Sequence, residues 1–392
     1  MRQRRDVAAL MAATLTDPTT DPTAEHAAAA VQPETTSGAP DYSRFDWLDH
    51  WYPVAWTRDL PVDAVTKVTL FDVDYCVVNR GEREPLALED KCPHRLAALS
   101  EGRLTAQGYV QCAYHGWRFS TDGAVTRVPG LTDPSRAPSH CTTRFPVREA
   151  QGLVWVWMEP EVEPFAEPFT FPFADQPGYT TVRKGLRTRG SLHQVIENAL
   201  DVPHTAFLHG GLFRNDAAEA TRRPIAVTVR RWSDRCEAEY VGEARPGGLA
   251  GKLLSPSGGD VTHFDRFHLP SITEVEYRIG TEAHLVLSAA CTPHSDWETT
   301  MHAVVSVSTR FPGWLVKLIV QPVALRIFGQ DAVMLAKQAD NLAFFGEERF
   351  VSTELDLLGP HILALLRRAA RGKPAEQPED APSVERRVDM LV

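Results

Sequence analysis

Two cysteines and two histidines stand in matched pairs, Cys92 with His94 in "CPHR" and Cys112 with His115 in "CAYHGW", spaced C-x-H-x17-C-x2-H. Two thiolates and two imidazoles brought together by two loops can hold zinc tetrahedrally. They can equally hold a 2Fe–2S cluster, with the cysteines on one iron and the histidines on the other, a ligation that raises the reduction potential. Farther on, "SLHQVIENALDVPHTAFLHGGLF" (191–213) carries Glu197, Asp201, His204 and His209. Spacings of four and three put Glu197, Asp201 and His204 along one helical face. His209, five residues on, lies about 140° off that face. The two imidazoles share an ion only if the helix is distorted between them. Pro203 supplies a cause, because it removes a backbone donor and disfavours a helical Val202; a π-type turn would do the same. Two unrelated histidines on a partly buried helix are the alternative.

The elements that must position these residues fall into two blocks. Over 46–160 short β-rich runs alternate with turn residues, in "VTKVTLFDVDYCVVNR", "YVQCAYHGWRFSTDG" and "GLVWVWME". That pattern predicts a small all-β domain. Residues 161–178, with four prolines and four phenylalanines, read as an extended linker, and 161–190 as the linker and entry to a second domain. Over 191–372, strands at "AVTVRRW", "ITEVEYRI", "AHLVLSAACT" and "MHAVVSVSTRF" are flanked by helical patterns at 192–209, 314–328, 331–350 and 361–370. Sheet with separated helices predicts an α+β domain. Residues 1–45 read as a disordered leader and 373–392 as a flexible tail.

Composition narrows the partners. The chain has 392 residues, a net charge of −10 and no basic stripe interleaved with aromatics, so a nucleic-acid partner is not expected. Six scattered cysteines are too few for a disulfide framework and suit a reducing compartment. No segment reaches the roughly 18 apolar residues of a membrane span. The nearest, "WLVKLIVQPVALRIFG" (314–329), reads as a packed helix, with membrane-surface contact as the second reading. "GGLAGK" lacks the spacing of a phosphate-binding loop, and no flavin or NAD fingerprint occurs.

C-P-H-R and C-x-Y-H-G-W resemble the two ligand loops of Rieske iron–sulfur domains. E-x3-D-x2-H-x4-H resembles the mononuclear iron motif of the Rieske non-haem iron oxygenases, and it follows the first motif in that family's order. The likeness covers about 46–350. It implies a Rieske domain followed by a helix-grip catalytic domain with an antiparallel sheet. It implies a 2Fe–2S cluster on Cys92, His94, Cys112 and His115, and a mononuclear Fe(II) on His204 and His209. It makes Asp201 the bridge that accepts a hydrogen bond from one ligand histidine at each metal. The family's third iron ligand, a carboxylate at the start of a downstream helix, falls on Asp331, with Asp340 or Glu347 as substitutes. Such a facial triad leaves positions open for dioxygen.

The resemblance also implies a ferredoxin or NAD(P)H-dependent reductase, dioxygen and a bulky hydrophobic substrate as partners. It implies a ring of subunits, usually a homotrimer. "DHWYPVAW", "CPHRLAALSEGRL" and "QCAYHGW" resemble the pheophorbide a oxygenase branch, although that branch's terminal C-x-x-C is missing. "ENALDVPHTAFLHGGLF" also fits bacterial relatives that close rings on prodiginine-like tripyrroles. Three functions follow: hydroxylation or oxidative demethylation, oxidative cyclisation or desaturation, and electron transfer with an inactive second site. The expected location is the cytoplasm, or a plastid if the leader is a transit peptide.

Overall fold

The computed structural model describes residues 49–209, 222–243, 259–345, 350–370 and 381–391. The leader expected over 1–45 and the candidate ligand Glu347 lie outside them.

The first part is all β. Its strands are β1 (Trp51–Trp56), β2 (Val65–Leu70), β3 (Val73–Arg80), β4 (Arg83–Glu89), β5 (Arg103–Leu104), β6 (Val110–Gln111), β7 (Arg118–Phe119), β8 (Val125–Arg127), β9 (Arg144–Phe145), β10 (Val147–Ala150) and β11 (Leu153–Trp157). They form three antiparallel sheets, ordered β1-β11-β10, β2-β3-β4-β9 and β5-β6-β7-β8. One small core, with Cys76, Val78, Leu86, Leu88, Leu99, Val110 and Phe119, also includes Cys92 and Cys112. The loop after β4 and the loop between β6 and β7 are thus anchored at their cysteines.

The second part is an eight-stranded antiparallel sheet, ordered β12-β18-β17-β16-β15-β14-β13-β19. Its strands are β12 (Thr180–Arg189), β13 (Pro224–Arg231), β14 (Arg235–Val241), β15 (Val261–His268), β16 (Ile272–Ile279), β17 (Ala283–Ser295), β18 (Glu298–Ser308) and β19 (Val384–Leu391). Helices α1 (Leu192–Ala199), α2 (His204–Leu208), α3 (Gly313–Phe345) and α4 (Gly359–Ala370) accompany it. Strand alternation turns Val227, Ala238, Tyr240, Phe267, Ala289 and Met301 to one face. There they share a core with Leu192, Val195 and Ile196 of α1, Phe328 and Leu335 of α3, and Ile362 of α4.

The two parts are joined by backbone as well as side chains. The Phe71 and Asp72 N–H groups donate to the Pro293 and His294 carbonyls, each at 2.8 Å, and Thr292 Oγ1 donates to the Pro53 carbonyl at 2.7 Å. The proline-rich connection also contributes buried surface: Phe171 is enclosed and packs near Trp155, and Trp51 Nε1 donates to the Ala166 carbonyl.

Three expectations fail. The tail is ordered over Val384–Leu391, where β19 pairs with β13 and buries Val388 and Met390. Its polar composition hides an alternating pattern that a distant strand satisfies. The helices expected at 314–328 and 331–350 are one helix, α3, running through Pro322. Pro322 removes a bond to the Leu318 carbonyl, but Leu318 lies on the exposed side, where water can replace the missing donor. The expectation that no segment is apolar enough for a membrane span also fails: α3 packs inward through Val316, Phe328, Leu335 and Ala339 but exposes Trp314, Leu318, Leu325, Phe344 and Phe345. By length and composition α3 is apolar enough to cross a membrane.

Candidate metal centres

The loops at Cys92 and Cys112 repeat one backbone design. In the first, the Cys92 N–H donates to the Ala97 carbonyl and the Leu96 N–H donates back to the Cys92 carbonyl, both at 2.9 Å. In the second, the Cys112 N–H donates to the Trp117 carbonyl at 2.9 Å and the Gly116 N–H to the Cys112 carbonyl at 3.1 Å. Each loop closes through a left-handed residue at the same place, Leu96 (φ 59°) and Gly116 (φ 69°). Glycine bears that conformation freely; leucine does so at a cost.

The four side chains face the right environments. Both cysteines are buried, and burial raises the Cys92 thiol, opposed by the backbone N–H groups of His94 and Arg95. The His94 ring stacks on Trp117, centroids 4.6 Å apart and planes within 6°, and meets the His115 ring edge-on at 4.6 Å. Burial, then His115 and Arg95, hold His94 below its ordinary pKa, which favours the neutral imidazole a metal requires. Its Nδ1 is buried with no hydrogen-bond partner among the described residues.

The donor set fits a 2Fe–2S cluster better than one zinc ion. Among the described residues, the set whose ligand atoms all lie within 4.8 Å of one another is a different one, His204, His209 and Asp331. At the Cys/His loops the two thiols lie against each other in the core and the two imidazoles lie against each other, the pairing that sets cysteines on one iron and histidines on the other.

At that second set the chain breaks rather than bends. Helix α1 starts on a reciprocal cap, Ser191 to the Gln194 N–H and Gln194 back to the Ser191 N–H, and ends at Ala199. Pro203 then opens α2, so Asp201 and His204 do not share a helix as the spacing suggested. Asp201 instead serves α2 from outside: its Oδ2 accepts from the His204 N–H and faces His204 Nδ1, both at 3.1 Å. That bond leaves Nε2 to point inward. Among the described residues Asp201 Oδ1 takes no hydrogen bond, and the side chain is 32% exposed. The other histidine is fixed from α3, where Gln330 Oε1 faces His209 Nδ1 at 3.0 Å.

The inward atoms converge. His204 Nε2 and His209 Nε2 are 3.2 Å apart, and Asp331 Oδ1 lies 3.6 and 3.1 Å from them. Asp331 Oδ1 is buried and, among the described residues, has no hydrogen-bond partner. Burial opposes protonation of His204, but the Asp201 and Asp331 carboxylates outweigh it and push its pKa up to about 9. The site therefore favours a cation at this point. Two imidazoles and one carboxylate, each held from behind, fit a divalent iron with open positions.

A Rieske [2Fe-2S] domain model matches residues 50–145, and a vanillate O-demethylase oxygenase C-terminal domain model matches 189–372. The chain belongs to the Rieske non-haem iron oxygenases. It is 30% identical to the chloroplastic protein TIC 55 of Arabidopsis thaliana over 76% of its length and 54% of that protein's. It is 35% identical to the chloroplastic pheophorbide a oxygenase of the same plant over 43% of its length and 33% of that protein's. It thus spans about half the length, or less, of these curated relatives. Its fold matches a crystal structure of dicamba monooxygenase bound to dicamba, with a TM-score of 0.70, 22% identity, and coverage of 85% of this chain and all of that one. The family carries the cluster and the mononuclear iron that the two donor sets fit.

Within this oxygenase fold the remaining candidates separate. Asp331 sits mid-helix on α3, not at a helix start. Asp340 points outward to Arg189 at 2.6 Å and is 61% exposed, so it does not replace Asp331. Glu197 packs against Gly359, where an added Cβ would collide with its carboxylate, away from the triad. Gln330 was missed because a glutamine in "FGQDAVM" carries no spacing signal; only its place beside Asp331, with its Oε1 3.0 Å from His209 Nδ1, reveals it.

Proposed function

We propose that this chain uses dioxygen and electrons from an external ferredoxin or reductase to hydroxylate or oxidatively demethylate a bulky, largely apolar small molecule. The observation that carries the reading is the convergence of His204, His209 and Asp331 on one point, in a chain that also holds a complete Cys2His2 pair of loops. When bound, the cluster supplies single electrons and the mononuclear iron supplies dioxygen activation. The chain's own residues orient the donors. Asp201 and Gln330 hold the two imidazoles in the tautomer that leaves Nε2 free. An intact triad disfavours the electron-carrier reading.

Asp201 has a second part in this reading. Its free Oδ1 accepts a hydrogen bond from His94 or His115 of a neighbouring copy, completing a bridge between the two metals in a homotrimer. Partial exposure of Asp201, and of Leu96 and Tyr114 beside the cluster loops, supports this. The chloroplastic names of the plant relatives favour a plastid over the cytoplasm, with 1–45 as the transit segment.

The experiment uses the purified, reduced protein with a panel of methoxylated, N-methylated and polycyclic aromatic compounds under labelled dioxygen. Substrate-dependent oxygen uptake, with label in a hydroxylated product or in released formaldehyde, supports the reading. Loss of two hydrogens without oxygen gain would move it to the cyclase or desaturase alternative. No oxygen uptake from a protein with both metals would leave electron transfer.

A further inference from the structure

The first half of α3 is apolar on both of its sides. Inward, Val316 and Val320 pack with Val182, Val305 and Val307 of the sheet, and Ala324 and Ile327 pack on the main core. Outward, Trp314 is 69% exposed, Leu318 66% and Leu325 42%. Spacings of four and seven set those three in one stripe, with exposed Pro322 beside it. A helix apolar all round belongs inside a protein or against lipid. This one lies on the surface, and among the described residues nothing covers the stripe.

The charge around the stripe says what would cover it. The chain carries a net charge of −10, yet from 299 to 330 it has Arg310, Lys317 and Arg326 and no aspartate or glutamate. Lys317 and Arg326 are exposed and lie about 90° to either side of the stripe by the 3.6-residue period. Exposed Lys184 of β12 stands across a small groove from Gln321 and Leu325. Asp175, which feels Lys317, is paired with Arg183. An apolar stripe between long basic side chains is the pattern of a helix on a lipid surface, with the stems along the apolar region and the charged heads at the phosphates. A two-fold contact with a second copy would instead press the same cations against one another.

We propose that the first half of α3 lies flat in the surface of an anionic lipid bilayer, with Trp314, Leu318 and Leu325 in the apolar layer and Lys184, Lys317 and Arg326 at the phosphates. The helix does not cross the bilayer. Its inner side is packed on the sheet, and Gln330 and Asp331 tie it to His209 at 3.0 and 3.1 Å. This contact does not depend on the oxygenase chemistry.

The test is flotation of the full chain with vesicles of phosphatidylcholine, alone or mixed with phosphatidylglycerol. The chain should float with the mixed vesicles, and less as salt is raised. Leu318→Glu should weaken vesicle binding about 10-fold or more, because it removes a buried leucine and adds an anion. Lys317→Gln with Arg326→Gln should weaken it about 25-fold, about 5-fold for each cation. Brominated lipids should quench a share of the tryptophan fluorescence of the unaltered chain, and Trp314→Phe should lose that share; this reading needs no destabilising change. No flotation, equal flotation with phosphatidylcholine alone, or binding and quenching that survive these substitutions would overturn the proposal, the last by placing the contact elsewhere in the chain. A lower oligomeric state in Leu318→Glu with vesicle binding unchanged would overturn it in favour of a second copy on the stripe.

Discussion

The loops at Cys92 and Cys112 hold their donors through their own backbone, whereas His204, His209 and Asp331 are held by side chains from elsewhere. Each cluster loop closes in six residues by two backbone hydrogen bonds, over cysteines set in a common small core. The triad has no such local frame. It draws on a broken helix, a carboxylate between α1 and α2, and two neighbouring residues of α3 more than a hundred positions downstream. The first design keeps its geometry when a surface side chain changes. The second makes metal affinity depend on Asp201 and Gln330, residues that touch no metal themselves.

That contrast orders the variants. Asp331→Ala should abolish the mononuclear iron and turnover while the cluster, with its visible absorption and sulfide, stays; loss of both together would mean the sites are not separately built. His115→Cys should keep a cluster but lower its potential by on the order of 100 mV or more, because a thiolate adds negative charge where a neutral imidazole stood. An unchanged potential in a redox titration would remove His115 from the ligands.

Asp201→Asn should cost about 10- to 100-fold in turnover, with both metals retained. In single turnover, cluster reoxidation should slow; normal reoxidation with normal product would reduce Asp201 to a cap of α2. Gln330→Leu replaces a neutral acceptor, weaker than a charged one, so a loss near the lower end, about 10-fold in iron affinity, is expected by competition with a chelator. Asp340→Asn is the control. Its partner Arg189 is exposed as well, so thermal unfolding should change by no more than about 1 kcal/mol and iron content not at all.

The same contrast explains what could be read from the chain. Cys92, His94, Cys112 and His115 were legible because their loops are local and the spacing is the structure. Pro203 was legible as a break, although it separates two helices instead of distorting one. "ITEVEYRI" stands as β16 to the residue. Strand β15, "VTHFDRFH", was not legible, because its inward positions include His263 and Asp265 and its alternation is masked by charge. Strand β19 was hidden in a polar tail and declares itself only beside β13. Asp331 was singled out by type and order, but its setting was misread: the resemblance put it at a helix start, whereas α3 runs unbroken from Gly313 to Phe345.

The central claim is that one chain builds two different iron sites, and metal and acid-labile sulfide counted per chain test it most directly. The account predicts about three irons and two sulfides in the intact protein, falling to about two irons with sulfide unchanged in Asp331→Ala. Stoichiometric zinc without sulfide, or two irons already in the intact protein that Asp331→Ala leaves untouched, would contradict it.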